Sequence, residues 1–334
     1  MPGYVLTYGM HMMALLGVAG ACNLNQLMQR EDFGSLVSWN GTVLSIKGCD
    51  LEAIDVQKAR SCIARIAPRG LSMVGDSLTR YQYLNLVDFL VHGEWKNYGD
   101  LPNENENKFS GWNQFYEVTN SRMGGHEICD CIRIPGTTIE NRYYDDGKIR
   151  ISYRQLFDQN HPLFMHDLEG LNVTSCVNKC NQGLCKPGAC SRDIQPLHNL
   201  GNVLEHGVLQ RFLESYPASL IFFNTGLWWF LNHKGIDYQS VIVREMLRFR
   251  SYNRFTHLIW KGTSAMHSPV NPSDLHFAYS LLSKRVFNSF FDTWSITVPI
   301  AQNPHGHMWD QVHYESHVYR GLNKAFLLYL CSLP

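Results

Sequence analysis

Residues 70–91 read Gly70-Leu-Ser-Met-Val-Gly-Asp-Ser77-Leu-Thr-Arg-Tyr-Gln-Tyr-Leu-Asn-Leu-Val-Asp-Phe-Leu-Val91. Gly70–Val74 is a short apolar run bounded by glycines, the pattern of a buried strand. Beyond Gly75-Asp76-Ser77 the period changes: Leu84, Val87, Leu90 and Val91 form the apolar stripe of a helix. The stretch therefore predicts strand, tight glycine turn, helix. Ser77 falls at the turn, where its hydroxyl is presented at the sheet edge and helix-start N–H groups point toward any anion beside it. That is what a serine nucleophile requires. A plain helix cap is the competing reading of the same tripeptide.

The same alternation returns near the C-terminus. Ala218–Asn224, Thr256–Trp260 and Phe291–Val298 read as strands, and Ile149–Tyr153 is a further strand candidate. Tyr238–Phe249, Asp274–Phe290 and Glu315–Leu330 read as helices, with Ser273 or Asp274 as an N-cap. Strands alternating with helices imply an α/β fold, a three-layer α/β/α sandwich around a mostly parallel sheet, with its site at the carboxyl ends of the strands. Residues 1–47 read as a lead-in and 48–334 as one catalytic domain. An insertion over about 92–215 is rich in Asn/Gly turns, and short strands and disulfide-pinned loops are expected there.

The 334 residues suffice to bury a large core. Lys+Arg and Asp+Glu balance at 29 each and no basic run or tail occurs, which argues against nucleic acid as a partner. The eight Trp suit either core filling or sugar stacking. Ten cysteines, an even number, point to the secretory pathway. Four form a Cys-rich loop, Cys176, Cys180, Cys185 and Cys190, whose spacing favours disulfides over a zinc cluster. The sequons Asn40-Gly-Thr and Asn172-Val-Thr agree with a lumenal location. Met12–Ala21 is apolar and ends in small residues, like a signal peptide, yet no Lys or Arg precedes it; a membrane anchor through the N-terminus and a buried segment are the alternatives.

Two further motifs complete the chemistry. Asn224-Thr-Gly-Leu-Trp-Trp229 closes a strand, where the Asn224 amide can donate to an oxyanion; a turn role is the alternative. Asp310-Gln-Val-His313 precedes the last helix, so His313 can act as general base and Asp310 can orient it. Two solvated polar residues, or a metal site from His305, His307, Asp310 and His313, are the rival readings. His257 and His267 are read as structural.

Taken together, these blocks resemble the SGNH (GDSL) hydrolase superfamily. Within it they resemble the PC-esterase branch, which holds the trichome-birefringence-like polysaccharide O-acetyltransferases of plants and the Cas1-type sialic acid and glucuronoxylomannan O-acetyltransferases. The matching residues are Val74–Arg80, Phe223–Trp229 against the family's NTGxWW, Asp310-x-x-His313, and Gly48-Cys49-Asp50-Leu51. The resemblance spans roughly residues 48–331. Leu227 stands where the plant enzymes have His, and Trp309–Tyr314 lacks their Cys. The block II glycine falls on Gly124, Gly125 or Gly136. The resemblance implies an SGNH-like fold and a catalytic triad of Ser77, His313 and Asp310. It implies an oxyanion hole from Ser77, Asn224 and Gly125, and a substrate cleft lined by Arg80, Trp228 and Trp229; for Arg80, one turn into the helix, holding an acidic partner or forming a structural salt bridge is the equal alternative. It implies acetyl transfer from an acetyl donor to a glycan hydroxyl in the Golgi, its membrane or outside the cell, with no resident cofactor or metal. A carbohydrate acetylesterase and an inactive glycan-binding relative are the alternatives.

Overall fold

The structure is a computed structural model. It describes residues 22–95, 109, 111–134, 137–156, 163–166, 194–197, 208–214, 216, 218–225, 237–267 and 286–334. In chain order the elements begin with α1 (Leu24–Leu27) and the hairpin β1 (Val37–Asn40) and β2 (Val43–Ile46). Then come α2 (Val56–Ile66), β3 (Leu71–Gly75), α3 (Ser77–His92) and α4 (Trp112–Ser121). The strands β4 (Glu127–Ile134), β5 (Thr137–Asp145) and β6 (Arg150–Gln155) follow, then the pair β7 (Leu163–His166) and β8 (Ile194–Leu197). The last part holds α5 (Val208–Glu214), β9 (Leu220–Phe223), α6 (Asp237–Tyr252), β10 (His257–Lys261), β11 (Ser289–Phe291), α7 (Thr293–Gln302) and α8 (Ser316–Cys331).

Seven strands form one sheet in the order β11-β10-β9-β3-β6-β5-β4. The run from β11 to β6 is parallel throughout, while β5 and β4 join antiparallel. Alternation along each strand divides the interior. Met73, Tyr153, Phe222, Ile259 and Phe291 share one core with apolar residues of α2, α3 and α8. Val74, Phe223 and Trp260 share the other with residues of α5 and α6. Helices cover both faces, as the alternating pattern predicts for a largely parallel sheet. The central strand β3 is buried at all five residues, and α3 is buried from Ser77 to Leu90.

Three expectations change. The region 92–215 is more regular than its turn-rich composition implied, since it forms the helix α4 and strands of eight and nine residues that extend the main sheet. Buried charges along these strands (Glu127, Glu140 and Arg142) hid the apolar alternation that marks a strand. The expected strand Phe291–Val298 is instead the end of β11 followed by α7, because the Asp292 carboxylate caps the Ser295 N–H at 3.0 Å and starts a helix. The expected helix Asp274–Phe290 ends too late, for Ser289 and Phe290 belong to β11; its stretch 274–285 lies outside the described residues.

The described part of the lead-in packs on the domain. The Trp39 indole donates to the Ile296 carbonyl at 2.9 Å. Trp39 and Leu44 approach α8 so closely that a Cβ at Gly321 would lie 2.8 Å from the indole, which explains a glycine inside this helix. Disulfides join Cys22 to Cys49, Cys62 to Cys331 and Cys129 to Cys131. The second ties α2 to the last helix. The cluster Cys176–Cys190, Asn172 and the apolar run Met12–Ala21 lie outside the described residues, among which no helix is long and apolar enough to cross a membrane.

Candidate active site

The turn from β3 into α3 is built by two local hydrogen bonds and two from β6 and its end. The Asp76 Oδ1 accepts from the Leu78 N–H at 3.0 Å and the Thr79 N–H at 3.4 Å, capping α3. Ser77 is thereby the first residue of the helix, and its own N–H is the helix-start donor that Asp76 does not take. The Gly75 carbonyl accepts from the Leu156 N–H and the Tyr153 hydroxyl, at 2.8 and 3.2 Å. A Cβ on Gly75 would lie 2.4 Å from the Thr79 Oγ1, so the tightness of the turn demands glycine.

Ser77 reaches a base delivered from far along the chain. Its Oγ lies 2.7 Å from His313 Nε2, and His313 Nδ1 lies 2.7 Å from Asp310 Oδ2. Asp310 Oδ1 also accepts from the N–H groups of Val312 and His313, each at 2.7 Å. This Asx-type turn fixes the carboxylate relative to the imidazole. Burial acts to raise the Asp310 carboxyl, but hydrogen bonds from the His313 side chain and from the two amides outweigh it and hold it below its ordinary value. An ionised carboxylate only accepts, so Nδ1 carries the proton and Nε2 is left to accept from the Ser77 hydroxyl. Ser77 and His313 are buried, while the Asp310 side chain is 40% exposed, so solvent meets the triad from the Asp310 side. The Ser–His pairing is consistent with a site of the serine-hydrolase or acyltransferase kind.

Aromatic rings hold the imidazole in place. Trp309 stacks on His313 with centroids 4.6 Å apart and planes 9° from parallel. Its indole N–H donates to the Tyr314 carbonyl at 2.9 Å. The buried Tyr81 ring meets both Trp309 and His313 edge-on, at 6.2 and 5.8 Å. Neither role was visible in the sequence, although Trp309 adjoins Asp310 and Tyr81 lies one turn beyond Ser77, positions that tertiary stacking favours.

The remaining candidates divide. Asn224 sits beside the turn: its N–H donates to the Val74 carbonyl at 2.8 Å, and its side-chain amide donates to the Lys261 carbonyl at 2.9 Å. Gly125 is not at the site. It lies two residues before Glu127, which pairs across β5 and β6 with the level of Leu71 through Tyr144 and Ile151. That is the end of the sheet where β3 begins, a full strand length from Ser77, so Gly125 and its neighbour Gly124 are removed from the oxyanion set. Gly136, Leu227, Trp228 and Trp229 lie outside the described residues.

Arg80 is drawn inward instead of lining a cleft. It is 2% exposed and pairs with Glu140 at 3.1 Å, with the rings of Tyr81 and Trp112 stacked on its guanidinium at 4.4 and 5.2 Å. Glu140 in turn holds Arg142, which pairs with Glu127 at 3.0 Å. The Tyr83 hydroxyl donates to Glu127 at 2.7 Å. This buried network fastens α3 to β4 and β5. Burial raises the Glu127 carboxyl, and Arg142 offsets part of that.

The histidine-rich segment splits into pairs. His307 Nδ1 lies 2.9 Å from His317 Nε2, beside Trp39, while His305 is exposed and His313 faces Ser77 and Asp310. Burial, aided by His307 and Arg320, pushes His317 down to about 4. Among the described residues no three His, Cys, Asp or Glu side chains converge to hold a metal. His257 contacts Ser289 and His267 contacts the Ala301 carbonyl, both packing roles. Compared with known proteins, the chain matches no family model, no curated protein and no solved structure.

Proposed function

We propose that this chain is a serine acyl-ester enzyme of the SGNH, PC-esterase kind that transfers acetyl groups to glycan hydroxyls through an acyl-Ser77 intermediate. The observation that carries the reading is the continuous hydrogen-bonded chain Ser77–His313–Asp310 at the start of a helix, with both links at 2.7 Å. In the first half-reaction the Ser77 Oγ attacks the carbonyl carbon of an acetyl ester while its proton passes to His313 Nε2. Asp310 stabilises the imidazolium that forms. The Ser77 N–H, the positive end of α3 and the Asn224 amide receive the charge that develops on the carbonyl oxygen. Collapse expels the donor alkoxide, which takes the proton from His313. In the second half an acceptor hydroxyl gives its proton to His313 and attacks the acyl carbon, releasing Ser77 and the acetylated glycan. With water in that place the product is acetate, and the enzyme is an acetylesterase.

The acetyl donor is a co-substrate, and this chemistry asks for no resident metal. Three disulfides among the described residues and an exposed sequon at the turn between β1 and β2 support work in the secretory pathway, in the Golgi or outside the cell. The test is hydrolysis of 4-nitrophenyl acetate by wild type and Ser77→Ala, with and without a panel of oligosaccharides. Acetylated sugar is the expected product. Acetate alone assigns the esterase, and equal activity in Ser77→Ala refutes the proposal.

A further inference from the structure

Lysine is almost never fully buried unless paired. Lys261 closes β10 and is 2% exposed. Its ammonium donates to the Thr79 hydroxyl at 3.2 Å, and its backbone carbonyl accepts from the Asn224 side chain at 2.9 Å. One residue thus touches both halves of the proposed oxyanion site, the first turn of α3 and the end of β9. The contact with Thr79 is held from behind, because the Thr79 hydroxyl is wedged against Gly75, where no Cβ fits.

Charge points the same way. Asp76 uses Oδ1 to cap α3, while its Oδ2 is buried with no hydrogen-bond partner among the described residues. Burial lowers Lys261 to about 8, and Asp76 is the opposing charge that favours its ammonium form. The ammonium thus acts on the helix start through the Thr79 hydroxyl, with the Asp76 charge favouring its protonated form without a direct ion pair. It contacts Thr79 in preference to Ser77, so it is not placed to take the nucleophile's proton.

Resting on the acyl-serine reading above, we infer that Lys261 is a positioning residue of this site. Its ammonium anchors the first turn of α3 through Thr79 while its carbonyl aims the Asn224 amide, and together these keep the oxyanion donors in register with Ser77. A buried lysine with a purely structural role behaves differently: its loss lowers stability but leaves kcat and its pH profile in the folded protein unchanged.

The experiment compares wild type, Lys261→Met, Thr79→Val and Ser77→Ala by thermal unfolding and by kcat and KM for 4-nitrophenyl acetate from pH 6 to about 10, a range that brackets the Lys261 value. Lys261→Met is expected to fold with a lowered melting temperature, to keep its KM, to lose about tenfold or more in kcat, and to lack the fall in rate expected of wild type as pH rises through about 8. Thr79→Val is expected to lower kcat and move that fall to lower pH, because the ammonium loses its acceptor. Ser77→Ala as active as wild type sinks the acyl-serine reading itself. An inactive Ser77→Ala beside a Lys261→Met with wild-type kcat and pH profile overturns the Lys261 inference alone. If Lys261→Met does not fold, an unchanged kcat and profile in Thr79→Val overturns it instead.

Discussion

Replacing Gly75 with alanine tests how tightly the Ser77 turn is built. The new Cβ would lie 2.4 Å from Thr79 Oγ1, 2.9 Å from Thr79 Cβ and 3.3 Å from the Asn224 carbonyl oxygen. Ordinary packing begins near 3.5 Å, so the hydroxyl must retreat by about 1 Å. Rotating the Thr79 side chain moves Oγ1 but not Cβ, and the first turn of α3 must also shift by roughly 0.5 Å. Overpacking of this kind costs about 1–3 kcal/mol. Loss of the Lys261–Thr79 bond strands a buried ammonium and adds about 1–3 kcal/mol. The expected destabilisation is therefore roughly 2–6 kcal/mol, and displacement of Ser77 from His313 is expected to lower activity on the order of 100-fold. Urea unfolding followed by Trp fluorescence gives the first number and 4-nitrophenyl acetate hydrolysis the second. Thr79→Ala removes the nearest clashing atom, so the double variant Gly75→Ala/Thr79→Ala is expected to be less destabilised than the two single effects summed. A Gly75→Ala protein with wild-type stability and activity would refute the reasoning.

Other consequences are as open to measurement. Asp310→Asn is expected to leave the fold intact and lower kcat on the order of 1,000- to 10,000-fold, since an amide no longer selects the Nδ1–H tautomer; a loss under tenfold contradicts that role. Because the Asp310 carboxyl is held below its ordinary value, its contribution to stability is present above the unfolded-state value and is lost as pH falls through the folded one. Acid unfolding of Asp310→Asn is accordingly expected to be less steep below about pH 4 than that of wild type. Arg142→Met strands Glu127 without its cation and leaves Glu140 with Arg80 alone; it is expected to destabilise by about 3–5 kcal/mol in urea titration, against a near-neutral result if the network were surface-like. Asn40 stands exposed at the β1–β2 turn, so protein secreted from eukaryotic cells is expected to drop in mass on glycosidase treatment, with the Asn40 share of that shift abolished by Thr42→Ala.

Much of the site was legible because its residues are bound to local pattern changes. Ser77 marks the switch from strand to helix, Asn224 ends an apolar strand, and Asp310 and His313 precede an amphipathic helix. The central fold was legible for the same reason. What escaped depends on tertiary partners. Lys261 reads as an ordinary strand-end lysine until β9 and β3 are placed beside it. Arg80 reads equally as a cleft residue or as a structural ion-pair partner until Glu140 arrives from β5, a strand whose buried charges conceal its pattern. Gly125 belongs to a turn whose distance from Ser77 is set by pairing register across three strands, which no local motif encodes. At α7, the apolar run 296–301 gives no sign of its own period, and the Asp292 cap decides it.

The triad also has an order in time. Ser77 and His313 are 236 residues apart, and β11, the last strand of the sheet, is already complete at Phe291. On the ribosome, every strand of the described sheet can therefore leave the exit tunnel with Ser77 in place while His313 is still inside it. Such a chain lacks both the base and α8, whose apolar face completes the core on one side of the sheet. The Ser77–His313 contact can form only once that stretch has emerged, and the disulfide of Cys62 with Cys331 then ties the helix that follows His313 to α2.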